Sequence, residues 1–138
     1  MQSWVYEHSF ATLDLSLEQL GAHLVICISG GDAPHIGSVV LSTPRPSLTG
    51  AGTSATSSVL NLPGHKDEAV ARQVSEALAA TLDTTVCCIC GIHVDDATPE
   101  AVASCATLGQ ELADFLIANL SEDDLLSQTN HGPASTRE

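Results

Sequence analysis

The stretch from residue 56 to residue 94 does most to restrict the fold. Residues 56–62 read as an extended segment that stops at Pro63-Gly64. From about Asp67, the residues Val70, Val74, Ala77, Leu78 and Leu82 recur at the spacing of one buried helical face. Asp67 and Glu68 stand in the first turn of that helix, where the dipole favours negative charge. Residues 85–94 are then β-branched and apolar, a second strand. Strand, helix and strand in this order form a βαβ unit, so the two strands are expected to run parallel. Their C-terminal ends then share one edge of the sheet. His65-Lys66 leaves that edge after the first strand, and His93-Val94-Asp95-Asp96 leaves it after the second. Ligands of α/β proteins favour that location.

The remaining elements attach to this unit. Residues 4–18 read as extended: Leu13, Leu15 and Leu17 alternate with Asp14, Ser16 and Glu18. Trp4, Tyr6 and Phe10 have the opposite parity, which predicts a bulge near Ala11 if both sets face the core. Gly21-Ala22 turns the chain into Leu24-Val25-Ile26-Cys27-Ile28, a continuous apolar run suited to an interior strand. If that strand is parallel to the βαβ pair, the loop from Gly30 to Gly37 joins the same edge. Residues 38–42 form a short strand. Residues 43–55, with Pro44, Pro46, Gly50 and Gly52, read as a long loop of the functional or mobile kind. Thr98-Pro99-Glu100 is a helix start, with a capping hydroxyl and a proline at the first helical position. The second helix presents Cys105, Leu108, Leu112, Phe115, Leu116 and Leu120 on one side. The order is β-β-β-β-α-β-α. It predicts one α/β (α+β) domain over residues 1–120 with a mixed five-stranded sheet and two helices, followed by a polar, flexible tail over 121–138.

Composition limits the partners. The chain has 138 residues, 43% of them hydrophobic and 3% aromatic, enough for one core built from Val, Ile, Leu and Ala. A net charge of −13 argues against nucleic acid and against anionic membranes, since both need a basic surface. No uninterrupted apolar run approaches the ~20 residues of a bilayer span, and residues 1–7 lack a signal-peptide pattern. A cytoplasmic location is therefore expected. The five cysteines agree, as an odd number of thiols placed mostly in apolar segments. Three of the four basic residues, Arg45, Lys66 and Arg72, fall in the central segment, whereas only Asp67 and Glu68 of the seventeen acidic residues do. Either those cations act locally on a ligand, or they make surface ion pairs.

Gly64-His65-Lys66-Asp67 precedes a helix, where free backbone N–H groups attract anions. Lys66 adds a full charge, and Arg45 from the long loop is able to add a bidentate clamp. The alternative is a solvated lysine beside a capping turn. Of the six histidines, His8 and His23 sit in strand-like segments and His131 in the tail. His35, His65 and His93 lie near the loops that converge, with Asp32, Asp67, Glu68, Asp95 and Asp96 close in sequence, a mixture suited to a divalent metal. No His-x-x-x-His pair occurs. The hydroxyl-rich segment from Thr53 to Ser58, including Ser54, suits neutral hydrogen bonds, to a phosphate or within the loop. Cys87-Cys88-Ile89-Cys90 has Cys-x-x-Cys spacing, but on a strand Cys87 and Cys90 point to opposite faces, which argues against redox or zinc chemistry. No Gly-x-Ser-x-Gly or Walker-type loop supports nucleophilic or nucleotide chemistry.

Taken in series, Gly30-Gly31-Asp32-Ala33-Pro34-His35-Ile36-Gly37, Pro44-Arg45-Pro46-Ser47, Thr53-Ser54-Ala55-Thr56, Pro63-Gly64-His65-Lys66-Asp67-Glu68 and Gly91-Ile92-His93-Val94-Asp95-Asp96-Ala97-Thr98-Pro99-Glu100 resemble the LpdD-like prenylated-flavin chaperone family associated with UbiD-type decarboxylases. The resemblance runs from about Tyr6 to Leu120. It implies a fold like proteasome assembly chaperones and a non-catalytic carrier of reduced prenylated FMN (or FMN). It also implies dependence on a divalent metal of the Mn or Mg class. The cofactor would come from a UbiX-type prenyltransferase and pass to a UbiD-type decarboxylase, with a homo-oligomer, a dimer favoured, as the carrier. On this reading His35 and His65 hold the metal with Asp67, Glu68 and His93 as further ligands. Arg45, Ser54, Gly64 and Lys66 hold the phosphate. A metal-dependent hydrolase using a His/Asp-bound water, and a purely structural assembly factor, are the two competing functions. The cysteine-rich strand departs from the expected Val and Ile.

Overall fold

A computed structural model describes residues 1–63 and 67–120. The strands are β1 (Gln2–Glu7), β2 (Thr12–Leu20), β3 (His23–Gly31), β4 (Ser38–Pro46), β5 (Thr53–Asn61) and β6 (Val86–His93). The helices are α1 (Glu68–Leu82) and α2 (Pro99–Asn119). The strands form one mixed sheet in the order β1-β2-β3-β6-β4-β5. β3 and β6 are parallel neighbours, and every other neighbouring pair is antiparallel.

Residues 4–18 are two strands rather than one bulged strand, so the sheet has six strands and not five. His8 N–H donates to the Ala11 carbonyl at 2.9 Å and closes a turn between them. In the resulting hairpin Trp4 lies opposite Leu15 and Tyr6 opposite Leu13. The two parities thus face the same side because the chain reverses. Trp4 and Tyr6 meet Phe115 of α2 edge-on, with ring centroids 6.4 and 5.2 Å apart, a favoured aromatic geometry.

The expected long loop over 43–55 is also strand. Only residues 47–52 turn, with Ser47 N–H donating to Gly52 O at 3.0 Å. The prolines are tolerated because β4 loses its β6 partner after Ser42 opposite Val86. Pro44 and Pro46 therefore sit where one side of β4 is an edge.

As the βαβ unit required, β5 and β6 run parallel, but β4 is inserted between them, antiparallel to both. Both helices cover one face of the sheet. Leu15, Ile26, Ile28, Val40, Val86, Cys88 and Cys90 meet Val74, Leu78, Leu112 and Leu116 there in an aliphatic core. No helix among the described residues covers the opposite face, where Val5 and Leu60 are 62% and 74% exposed. At 21 residues and a mean hydropathy of 1.2, α2 is long and apolar enough to cross a bilayer, although no uninterrupted apolar run revealed it. In this fold its Leu108, Leu112 and Leu116 are core residues.

One buried polar chain locks α1 to the β4–β5 hairpin. Ser42 Oγ lies 2.7 Å from both Ser57 Oγ and Ser75 Oγ, and Ser57 donates to Glu76 at 2.7 Å. Ser42 and Ser75 are fully buried. Ser42→Ala removes the shared partner and is expected to cost about 1–2 kcal/mol. A thermal melt lowered by roughly 3–8 °C checks it.

Candidate functional site

The C-terminal ends of β3 and β6 share one edge, and the segment 32–37 is pinned across it. Asp32 N–H donates to His93 O at 2.7 Å, Gly37 N–H to Cys90 O at 2.9 Å, and Leu62 N–H to Gly37 O at 2.9 Å. Asp95 N–H donates to the Asp32 carboxylate at 2.7 Å. His35 and His93 face each other at this edge, with ring centroids 6.4 Å apart. His93 Nε2 lies 2.9 Å from Asp95 Oδ1.

Asp67 is the centre of the arrangement. It is the N-cap of α1, yet its side chain makes no capping hydrogen bond. Thr98, by contrast, caps α2 in the ordinary way by accepting from Ala101 N–H at 3.2 Å. The buried Asp67 carboxylate reaches the sheet instead. Oδ1 accepts from Ile92 N–H at 2.9 Å, and Oδ2 lies 3.3 Å from His35 Nε2. His35 Nδ1 lies 3.0 Å from the Ala33 carbonyl. A carbonyl only accepts, so Nδ1 of His35 carries a proton and Nε2 is the ring nitrogen that faces the Asp67 carboxylate. An imidazole nitrogen and a carboxylate oxygen at this distance share a cation, either the proton of an ion pair or a metal ion. A backbone carbonyl on the other ring nitrogen is also how metal-binding histidines are oriented.

Two glycines make this packing possible. A Cβ on Gly37 would lie 1.9 Å from Asp67 Oδ2, and one on Gly91 would lie 1.6 Å from the His35 carbonyl oxygen. Neither position has room for a side chain.

Beside the cluster, a cavity of about 480 Å³ opens between the start of α1, the first half of α2 and the turn after β1. Asp67 and His93 belong to its lining, with Phe10, Leu13, Val70, Ile92, Val102 and Leu108 among the apolar walls. Cys105 also lines it, and burial, followed by the nearby Asp67 carboxylate, pushes its thiol above the usual range. Burial pushes Cys88 and Cys90 up further. Those two are fully buried core residues.

Of the residues singled out from sequence, the structure brings His35, Asp67 and His93 together, with Asp32 and Asp95 beside them. Glu68 is not among them, because its carboxylate accepts from Arg72 Nε at 2.7 Å along α1. Arg45 and Ser54 are corrected too. They pair with each other at the far end of the β4–β5 hairpin, whereas its rim end is Ser38 opposite Asn61. At ~3.3 Å per residue the separation is about 23 Å. Arg45 there donates to Thr56 Oγ1 at 2.9 Å and to Pro46 O at 3.2 Å. Gly64, His65 and Lys66 lie outside the described residues, as does the tail over 121–138. Among the described residues, no three His, Cys, Asp or Glu side chains are grouped to hold a metal. His35 and Asp67 supply one imidazole and one carboxylate, a donor pair that fits a divalent cation but completes no shell. Sequence reasoning missed the cavity. Its signal was the run of small residues Ala97, Ala101, Ser104, Cys105 and Ala106, where the later part of the helix carries leucines.

A chain in the crystal structure of a chaperone complex for yeast 20S proteasome assembly has a similar fold. The TM-score is 0.56 at 14% identity, over 87% of this chain and 96% of that one. At that identity the likeness is one of fold alone, and it matches the expected architecture. No curated protein matches the sequence. Residues 7–121, nearly everything from the end of β1 to the end of α2, match the prenylated flavin chaperone LpdD-like domain. The chain therefore belongs to the LpdD-like prenylated-flavin chaperone family.

Proposed function

We propose that this protein is a non-catalytic carrier that holds reduced prenylated FMN at the His35–Asp67–His93 rim with the help of a divalent cation. It would take the cofactor from a UbiX-type prenyltransferase and release it to a UbiD-type decarboxylase. The family supplies the ligand class. The observation that carries the location is the buried Asp67 carboxylate 3.3 Å from His35 Nε2 at the shared strand edge. FMN ends in a dianionic phosphate, and a chain of net charge −13 needs local positive charge to hold one. A cation shared by His35 and Asp67 supplies that charge. The first N–H groups of α1 have no intrahelical acceptors and add partial positive charge beside it. The backbone does the positioning. Ala33 O orients His35, and Ile92 N–H orients Asp67, so neither side chain has to be ordered when ligand arrives. His93 and Asp95 are exposed at the rim, which suits a site that must also give up its cargo. A homo-oligomer is part of the proposal.

The test is an absorbance spectrum after anaerobic incubation with reduced prenylated FMN and manganese, followed by desalting. The protein is expected to retain the flavin and to lose it on addition of EDTA. Colourless protein, with manganese or without, rejects the proposal.

A further inference from the structure

We infer that the 480 Å³ cavity receives the ring system of the reduced flavin, with Phe10 against the ring and small side chains along α1 and α2 setting the width of the slot. The inference rests on the carrier reading of the rim, and it assigns the part of the ligand that the rim leaves unplaced. The volume lies within the range of small-molecule pockets, roughly 300–1,000 Å³. Polarity is distributed as such a ligand requires. Asp67 and His93, which belong to the rim cluster, also line the cavity, so a molecule whose charged end is at the rim has its other end in contact with apolar walls.

Side-chain size explains why the space exists. Ala11, Ala69, Ala97, Ala101 and Ala106 all line it, and each stops one methyl from the backbone. Apolar walls without contacts across a gap forgo dispersion energy. Larger residues at these positions would recover that energy, so the gap is not explained by folding. Phe10, in the turn between β1 and β2, is 39% exposed and belongs to the same lining. A phenyl ring there offers an apolar surface for a ring system to pack against.

A footprint on Cys105 tests this without any variant. Cys105 and Cys27 are the exposed thiols, and Cys27 lies on the helix-free face, well away from the cavity. Iodoacetamide labelling is run anaerobically near pH 8.5, because the Cys105 thiol is shifted upward. Bound reduced prenylated FMN is expected to slow alkylation of Cys105 at least ~10-fold and to leave Cys27 unchanged. Val102→Trp, which fills the cavity from a half-exposed position, is expected to weaken flavin binding at least ~10-fold without lowering the melting temperature. Flavin retained on the protein with Cys105 labelling unchanged overturns the inference while the carrier reading survives. Failure of the wild-type protein to retain flavin overturns both.

Discussion

Asp67→Asn is expected to weaken metal-dependent flavin retention by about 10–100-fold while leaving the folded protein nearly as stable as the parent. The asparagine oxygen still accepts from Ile92 N–H, the bond that Asp67 Oδ1 makes at 2.9 Å. Its neutral amide takes the place of the carboxylate oxygen that lies 3.3 Å from His35 Nε2. The negative charge that recruits a cation to this position is then gone. The magnitude is that of losing a partner around a bound metal. Asp67→Ala separates the two roles of the residue. It strands a buried N–H as well, at a cost of about 1–3 kcal/mol, so it lowers both stability and binding. Two measurements decide: a thermal melt, and the flavin absorbance left after desalting in manganese. Full retention by Asp67→Asn removes this carboxylate from the site.

Gly91→Ala is the second large effect. Its Cβ would fall 1.6 Å from the His35 carbonyl oxygen and 2.4 Å from the carbonyl carbon. These are backbone atoms, held in place by the bonds from Asp32 to His93 and from Gly37 to Cys90, so no side-chain rotation relieves the overlap. Overpacking of this kind costs about 2–3 kcal/mol, a drop of roughly 6–15 °C in melting temperature for a chain of this size. The relief available is for the 32–37 segment to lift off β6, which carries His35 away from Asp67. Flavin retention is therefore expected to fall together with stability. A variant that melts and binds like the parent shows that the segment does not pack on Gly91 as described.

The positions that matter most were unevenly visible beforehand. His35, His65 and His93 were expected to converge because the topology sends three chain segments to one edge. His35 and His93 do meet there, with Asp67 beside them, while His65 lies outside the described residues. Gly91 was hidden in an apolar strand, since nothing local says that another backbone crosses it. Arg45 was misjudged because proline and glycine between residues 43 and 55 suggest a loop free to reach the rim. Pro44 and Pro46 are instead accommodated where β4 is unpaired on one side, and the hairpin holds Arg45 at its distant end.

Periodicity reports which side of an element is buried, and that information is local. It was enough to establish the strand–helix–strand unit, the parallel run of β5 and β6, the capped start of α2 and the shared edge. Which strand pairs with which depends on contacts between residues far apart in the chain. Only the tertiary structure decided that residues 4–18 fold back on themselves and that β4 slides between β5 and β6. It also decided that Asp67 turns from its own helix toward β6, and that the small side chains along α1 and α2 leave an open slot.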